Sequence, residues 1–161
     1  MRYCPQCAEA LTTTNLGGRD RLACPNPECN FVHWDNPTPV VAALVEHSDG
    51  VILIRNKGWP SSWLGLVSGF LERGEAPGEG CLREVQEELG LEGTVESLIG
   101  AYSFPRAHQI IIAYHIKVTG EVVLGDELEA YKIVPVEKLK PWPFGTGHAV
   151  ADWLKSRKES D

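Results

Sequence analysis

Three carboxylates fall together in the segment Arg83-Glu84-Val85-Gln86-Glu87-Glu88-Leu89. On a helix, Glu84 and Glu88 are one turn apart and Glu87 lies between them in angle, so all three share a face. Carboxylates this close repel one another unless a cation sits among them, and hard oxygen donors suit Mg²⁺ or Mn²⁺. A solvated acidic stripe, with Arg83 and Glu87 as an ordinary i, i+4 pair, is the alternative. A second group with chemistry opens the chain. Cys4 and Cys7 form a C-x₂-C pair, and sixteen residues further on Cys24 and Cys29 form a C-x₄-C pair. Two such knuckles supply the four thiolates of a tetrahedral Zn²⁺ site. Two disulfides in a secreted protein are the alternative there. Cys81 stands alone in a helical segment and is expected to be a small core residue.

The elements that must position these groups are legible in outline. A helix is expected over Pro77 to Leu89, with proline in its first turn and Gly90 just past its end. Leu82, Val85 and Leu89 fall beside the acidic face and anchor that helix in a core. Val40 to His47 and Val51 to Ile54 are apolar, β-branched runs separated by Ser48-Asp49-Gly50, which predicts a hairpin. Further strands are expected near Val95–Phe104, Ile110–Lys117 and Ala130–Val134, and a closing helix near His148–Arg157 with Trp153 in the core. Strands run together with few helices, so this is not a regular βαβ series.

The first residues read as a separate module. The ribbon is expected from about Arg2 to His33, with Thr12 to Arg19 as a turn between two short strands. So few residues cannot bury a self-sufficient core, and a metal would supply much of the folding energy. Trp34-Asp35-Asn36-Pro37-Thr38-Pro39 is a stiff connector. The expected units are therefore residues 1–36 and 37–161.

At 161 residues, with 43% hydrophobic and 23% charged, the composition is that of an ordinary globular protein. No stretch approaches the roughly 18 apolar residues of a membrane span, and the start lacks an apolar run of signal length. A cytoplasmic protein with no membrane partner is expected. The net charge of −7 argues against nucleic acid as a general partner. It leaves room for a small phosphorylated substrate whose charge a cation offsets.

The acidic helix is part of a longer pattern. Gly69, Glu75, Arg83, Glu84, Val85, Glu87, Glu88, Gly90 and Leu91 fill every specified position of the Nudix box. Seven fixed identities give chance odds of about 10⁻⁹ per window at background frequencies. The chain thus resembles the Nudix hydrolases, and a four-cysteine ribbon ahead of the box is similar to the branch holding NADH pyrophosphatases and ADP-ribose or FAD pyrophosphatases. The junction Trp34-Asp35-Asn36-Pro37 resembles the step that follows the ribbon there.

That resemblance implies an α/β/α sandwich with a mixed sheet, and Mg²⁺-dependent hydrolysis of the diphosphate in ADP-ribose, FAD or NAD(H). Glu84, Glu87, Glu88 and the Gly69 carbonyl would hold the catalytic Mg²⁺ or Mn²⁺, and Cys4, Cys7, Cys24 and Cys29 a structural Zn²⁺. Arg83 and Glu75 would pair to brace the loop against the helix. The proton of the attacking water would go to Glu84 or to a later-loop glutamate, with Glu127 and Glu129 candidates by position. The partner is a small nucleotide substrate, and the resemblance implies a homodimer.

One departure bears on specificity. The NADH pyrophosphatase motif Ser-Gln-Pro-Trp-Pro-Phe is replaced by Tyr102-Ser103-Phe104-Pro105-Arg106-Ala107-His108-Gln109, which moves ADP-ribose and FAD ahead of NADH. Phe104 is a candidate to stack on a base, Arg106 to meet a phosphate, and His108 and Gln109 to line the pocket. Trp63, just before the box, is a further candidate for substrate contact. Pro141-Trp142-Pro143-Phe144 is expected to be a packing segment before the last helix. His33, His47, His115 and His148 show no ligand spacing. A nucleotide-pool cleansing triphosphate hydrolase and a catalytically silent ligand sensor are the other functions such a chain could have.

Overall fold

The structure, a computed structural model, describes residues 1–160. The chain divides into two compact units, Met1–Pro37 and Thr38–Asp161, the final residue lying outside the described ones.

The first unit is a three-stranded antiparallel sheet of β1 (Thr12–Leu16), β2 (Arg19–Ala23) and β3 (Val32–His33). The segment expected as one long turn is mostly strand. Leu16 pairs with Arg19, and only Gly17 and Gly18 turn the chain, at φ of 60° and 80°. Two successive residues with positive φ make the two-residue hairpin whose twist matches its strands, and threonines favour the pleated flank. Among the described residues of this unit, only Cys4 and Ala23 are buried. That is too little apolar burial to hold a fold by itself.

The second unit is built on a six-stranded mixed sheet. Its strands are β4 (Thr38–His47), β5 (Gly50–Asn56), β6 (Val67–Phe70), β7 (Gly93–Phe104), β8 (Gln109–Val118) and β9 (Leu128–Val134), in the order β7-β8-β4-β5-β9. β4 organises it. One edge of β4 pairs in parallel with β8, while its other edge pairs antiparallel with β6 along its first half and with β5 along its second. β6, which sequence periodicity did not reveal, is only four residues long and carries Ser68 and Gly69 in its middle.

The apolar run in β4 is continuous because both of its faces are covered. Val41, Ala43 and Val45 point to one core, shared with Cys81, Val85 and Leu89 of α1 (Pro77–Leu89). Val40, Ala42 and Leu44 point to the other, shared with Ala149, Val150 and Trp153 of α2 (Gly147–Ser160). This is the Nudix α/β/α arrangement.

Pro77 opens α1, and the Ala76 backbone N–H donates to the Glu79 carboxylate at 3.3 Å. Gly90 ends the helix in the left-handed conformation, its N–H bonded to the Gln86 carbonyl. On the opposite face, His115 bonds Glu46 at 2.8 Å and packs edge-on against Trp153, and Arg157 lies over the same tryptophan. No described helix is long and apolar enough to cross a membrane.

Candidate active site

The box loop and α1 bring their charged groups to one cavity of about 390 Å³, between β6, α1 and the segment after β8. Arg83 is the hub. Its guanidinium donates twice to the Glu75 carboxylate, at 2.8 and 3.1 Å, and to Glu84 at 2.7 Å, Glu87 at 3.1 Å and the Phe70 carbonyl at 3.1 Å. The Arg83 hydrogen bonds hold the Glu75 carboxyl below the usual carboxylate range, assisted by the Glu72 N–H. Glu75 in turn raises the pKa of Arg83, so the cation is fixed. The box loop is thereby tied to the helix by a bidentate pair.

The three helical carboxylates share a face, with very different exposure. Glu87 is open to solvent, Glu84 is largely covered, and Glu88 is only 5% exposed. Glu88 Oε2 has no hydrogen-bond partner among the described residues. Burial, then the charges of Glu84, Glu127 and Glu87, pushes its carboxyl up to about 8. A buried, unpaired carboxylate facing three others is unfavourable unless a cation joins them. The donor set fits a hard divalent ion.

Two close approaches shape the cavity. The Glu84 carboxylate lies so near Gly69 that a Cβ there would overlap it. Gly125 comes down on the last turn of α1, where a side chain would strike the Glu87 carbonyl, and its N–H bonds the Glu88 carbonyl at 2.9 Å. With the Val123 N–H on the Leu89 carbonyl, this pins the segment that delivers Asp126 and Glu127 to the cavity. Position alone had made Glu127 and Glu129 equal candidates. Glu127 lines the cavity, whereas Glu129 pairs with Arg55 at 3.2 Å.

A second cavity, of about 600 Å³, adjoins the first, with Ser68 lining both. Its wall includes Trp59, Trp63, Phe104, Trp142 and Phe144, together with Gln109. Phe104, Gln109 and Trp63 meet here, while Arg106 on a 3₁₀ turn and His108 just past it are exposed and line neither cavity. The Pro141–Phe144 segment has a double role. Trp142 packs on the α2-side core, while Phe144 stays half-exposed at the cavity. The readable signal was the crowding of aromatics in Gly58-Trp59-Pro60-Ser61-Ser62-Trp63 and in that segment.

In the first unit, the Cys4 and Cys29 sulfurs are 3.6 Å apart, those of Cys7 and Cys24 3.4 Å, and all four lie within 4.8 Å of one another. The edge of a tetrahedron around zinc, from a Zn–S bond of about 2.3 Å, is about 3.8 Å. The Gln6 N–H also points to the Cys4 sulfur at 3.4 Å, as at a thiolate. The cluster fits a single zinc ion.

A mixed sheet between α1 and α2, with an acidic cleft formed by the box loop and α1, defines an α/β/α protein of the Nudix class. The chain belongs to the NUDIX domain family, which it matches over residues 36–152. The NAD-capped RNA hydrolase NudC of Pseudomonas aeruginosa (strain LESB58) is 29% identical over 147 residues, 88% of this chain and 50% of that protein. The ADP-ribose pyrophosphatase of Methanocaldococcus jannaschii is 31% identical over 126 residues, 74% of this chain and 75% of that protein. A crystal structure of a NUDIX hydrolase from Nitrosomonas europaea has the same fold, with a TM-score of 0.82 at 23% identity, covering 100% of this chain and 94% of that one. The chain spans about half the length of the NudC relatives it matches.

Proposed function

We propose that this chain is a Mg²⁺-dependent pyrophosphohydrolase that cuts the diphosphate bridge of a nucleoside diphosphate derivative, with ADP-ribose, FAD and NAD(H) as candidate substrates. The observation that carries the reading is the orphaned, buried oxygen of Glu88 among the carboxylates of Glu84, Glu87 and Glu127. Glu84, Glu87, Glu88 and the Gly69 carbonyl would hold the ion, with Glu127 reaching the same cavity. A divalent ion held by these groups would offset charge on the diphosphate and lower the pKa of the attacking water.

The protein's own groups do the rest. Arg83 holds Glu84 directly and the box loop through Glu75. A cavity carboxylate, Glu84 or Glu127, accepts the proton as water oxygen bonds to one phosphorus. The bridging P–O bond breaks, and the bridging oxygen leaves with the other phosphate. The adjoining aromatic cavity takes one organic end of the substrate. The relatives named NAD-capped RNA hydrolase and ADP-ribose pyrophosphatase support a nucleotide derivative. The net charge of −7 favours a free nucleotide over an RNA chain.

A panel of ADP-ribose, FAD, NADH, NAD⁺ and oxidised dGTP, assayed with Mg²⁺ for AMP and phosphate, tests this reading. Turnover of a dinucleotide or ADP-sugar with AMP release is expected. Silence across the panel with Mg²⁺ bound would favour a ligand sensor.

Arg83→Lys should weaken Mg²⁺ binding about 10–100-fold, as for other residues that orient metal ligands. An ammonium cannot make the parallel pair of bonds to Glu75 and still reach Glu84. Calorimetric titration reads this directly, and wild-type affinity in the variant would remove Arg83 from the metal site's support.

A further inference from the structure

The faces of β9 do not alternate as those of an unbroken strand do. Ile133 packs into the core that α1 shares, and so does Leu128, five residues before it. Residues an odd number apart in a regular strand face opposite sides of the sheet. The pairing with β5 accounts for the exception. Arg55 pairs with Ala130 and Asn56 with Leu128, so Glu129 is an extra residue with no partner opposite it, a β-bulge. Bulges recur beside active sites, where they turn the chain and re-aim what it carries. Here the bulge turns Leu128 into the α1-side core, where it is buried. Its N–H bonds the Gly125 carbonyl at 3.2 Å and closes a turn. That turn holds Asp126 and Glu127 at the acidic cavity.

Glu129 is tied down within the bulge. Arg55 Nε donates to its carboxylate at 3.2 Å, and Arg55 Nη1 donates to the Ser61 carbonyl at 2.9 Å. Ser61 lies in the loop that carries Trp59 and Trp63 into the wall of the aromatic cavity. The Lys57 N–H, at the start of the same loop, donates to the Glu127 carbonyl at 2.9 Å. One guanidinium thus fixes the bulge beside one cavity and the loop that walls the other. Its planar fork sets both bonds in fixed directions, which an ammonium on a flexible stem does not. The pair contributes little to stability, because Glu129 is half-exposed.

We propose that Arg55 and Glu129 are positioning residues, whose pair locks the bulge that aims Glu127 at the acidic cavity while Arg55 also sets the Ser61 loop. The inference rests on the hydrolase reading for what Glu127 does once aimed. With the pair broken, β9 is free to slip by one residue. That slip turns Leu128 to the other face and draws Glu127 out of the cavity. The burial of Leu128 opposes it, so the expected loss is partial.

The test uses the full chain and Mg²⁺ alone, titrated by calorimetry, with thermal melting showing each variant folded. Glu129→Gln should weaken Mg²⁺ binding about threefold to fivefold, the scale of one partly exposed ion pair. In a Glu127→Gln background the same change should cost nothing further, because Glu129 acts through Glu127. Wild-type affinity in Glu129→Gln would overturn the proposal. So would an equal loss in both backgrounds, which marks a general loosening of the sheet edge. Hydrolysis of ADP-ribose supplies a second signature. Glu129→Gln should lower kcat with KM held, whereas Arg55→Lys, which keeps a charge for Glu129 but releases Ser61, should raise KM with kcat held. The same change in both constants for both variants would contradict the separate roles. Mg²⁺ affinities that follow this pattern without any turnover contradict the hydrolase alone, while turnover with affinities indifferent to Glu129 contradicts the positioning alone.

Discussion

Glu88→Gln is expected to stabilise the metal-free protein and to abolish its chemistry. The wild-type carboxyl is buried, unpartnered at Oε2 and pushed up to about 8. An unfolded chain ionises the same group near 4.5, so the metal-free fold loses stability as pH rises from there to about 8. Glutamine removes that dependence. In chelator at pH 7.5, it should raise the melting temperature of the second unit by a few degrees, because a neutral amide carries none of the ionisation cost that the buried carboxyl carries above pH 4.5. With Mg²⁺ the order reverses. Saturating ion stabilises the wild type by about 2.7 kcal/mol at a hundredfold excess over Kd, and the variant by less. Turnover should fall by more than about a hundredfold, since even groups behind a metal ligand cost 10–100-fold. A variant that is less stable without metal and as active with it would contradict the placement of Glu88.

The other large effect concerns the ribbon. Replacing Cys24 and Cys29 together with serine should release about one zinc per chain and unfold residues 1–37, leaving the two cores of the second unit intact. Structural zinc contributes about 10–16 kcal/mol in comparable small domains, and a unit with only Cys4 and Ala23 buried has nothing to replace it. Elemental analysis and amide exchange, read separately for the two units, check this. Zinc-free protein with a protected, folded ribbon would overturn the assignment.

The parts legible in the sequence were those encoded locally. α1 was marked by Pro77, Gly90 and the 3.6-residue spacing of Val85 and Leu89. The β4–β5 hairpin was marked by Asp49-Gly50 between β-branched runs. The resemblance implied the Arg83–Glu75 pair and the i, i+4 spacing suggested Glu87, while the bonds of Arg83 to Glu84 and to the Phe70 carbonyl were not foreseen. Trp153 and Cys81 were read as core and are buried.

What escaped depended on long-range pairing. β6 is four residues held by β4, too short for alternation to show. The turn expected over Thr12 to Arg19 contracted to Gly17-Gly18 because Thr12 pairs across to Ala23, a contact no local window contains. Glu127 separates from Glu129 only because Gly125 docks on the end of α1. The aromatic cavity gathers side chains from segments some 80 residues apart in sequence, Trp59 and Phe144 among them. Arg106 shows the reverse case, a residue plausible by type and position that the 3₁₀ turn leaves on the surface.

The most direct test of the central claim is AMP release from ADP-ribose as Mg²⁺ is titrated into chelator-stripped protein, with Glu84→Gln run alongside. The account predicts no turnover without the ion, saturable activation on adding it, and loss of that activation in the variant. Turnover that persists in chelator, or a variant activated like the wild type, would contradict a diphosphate hydrolase built on these carboxylates.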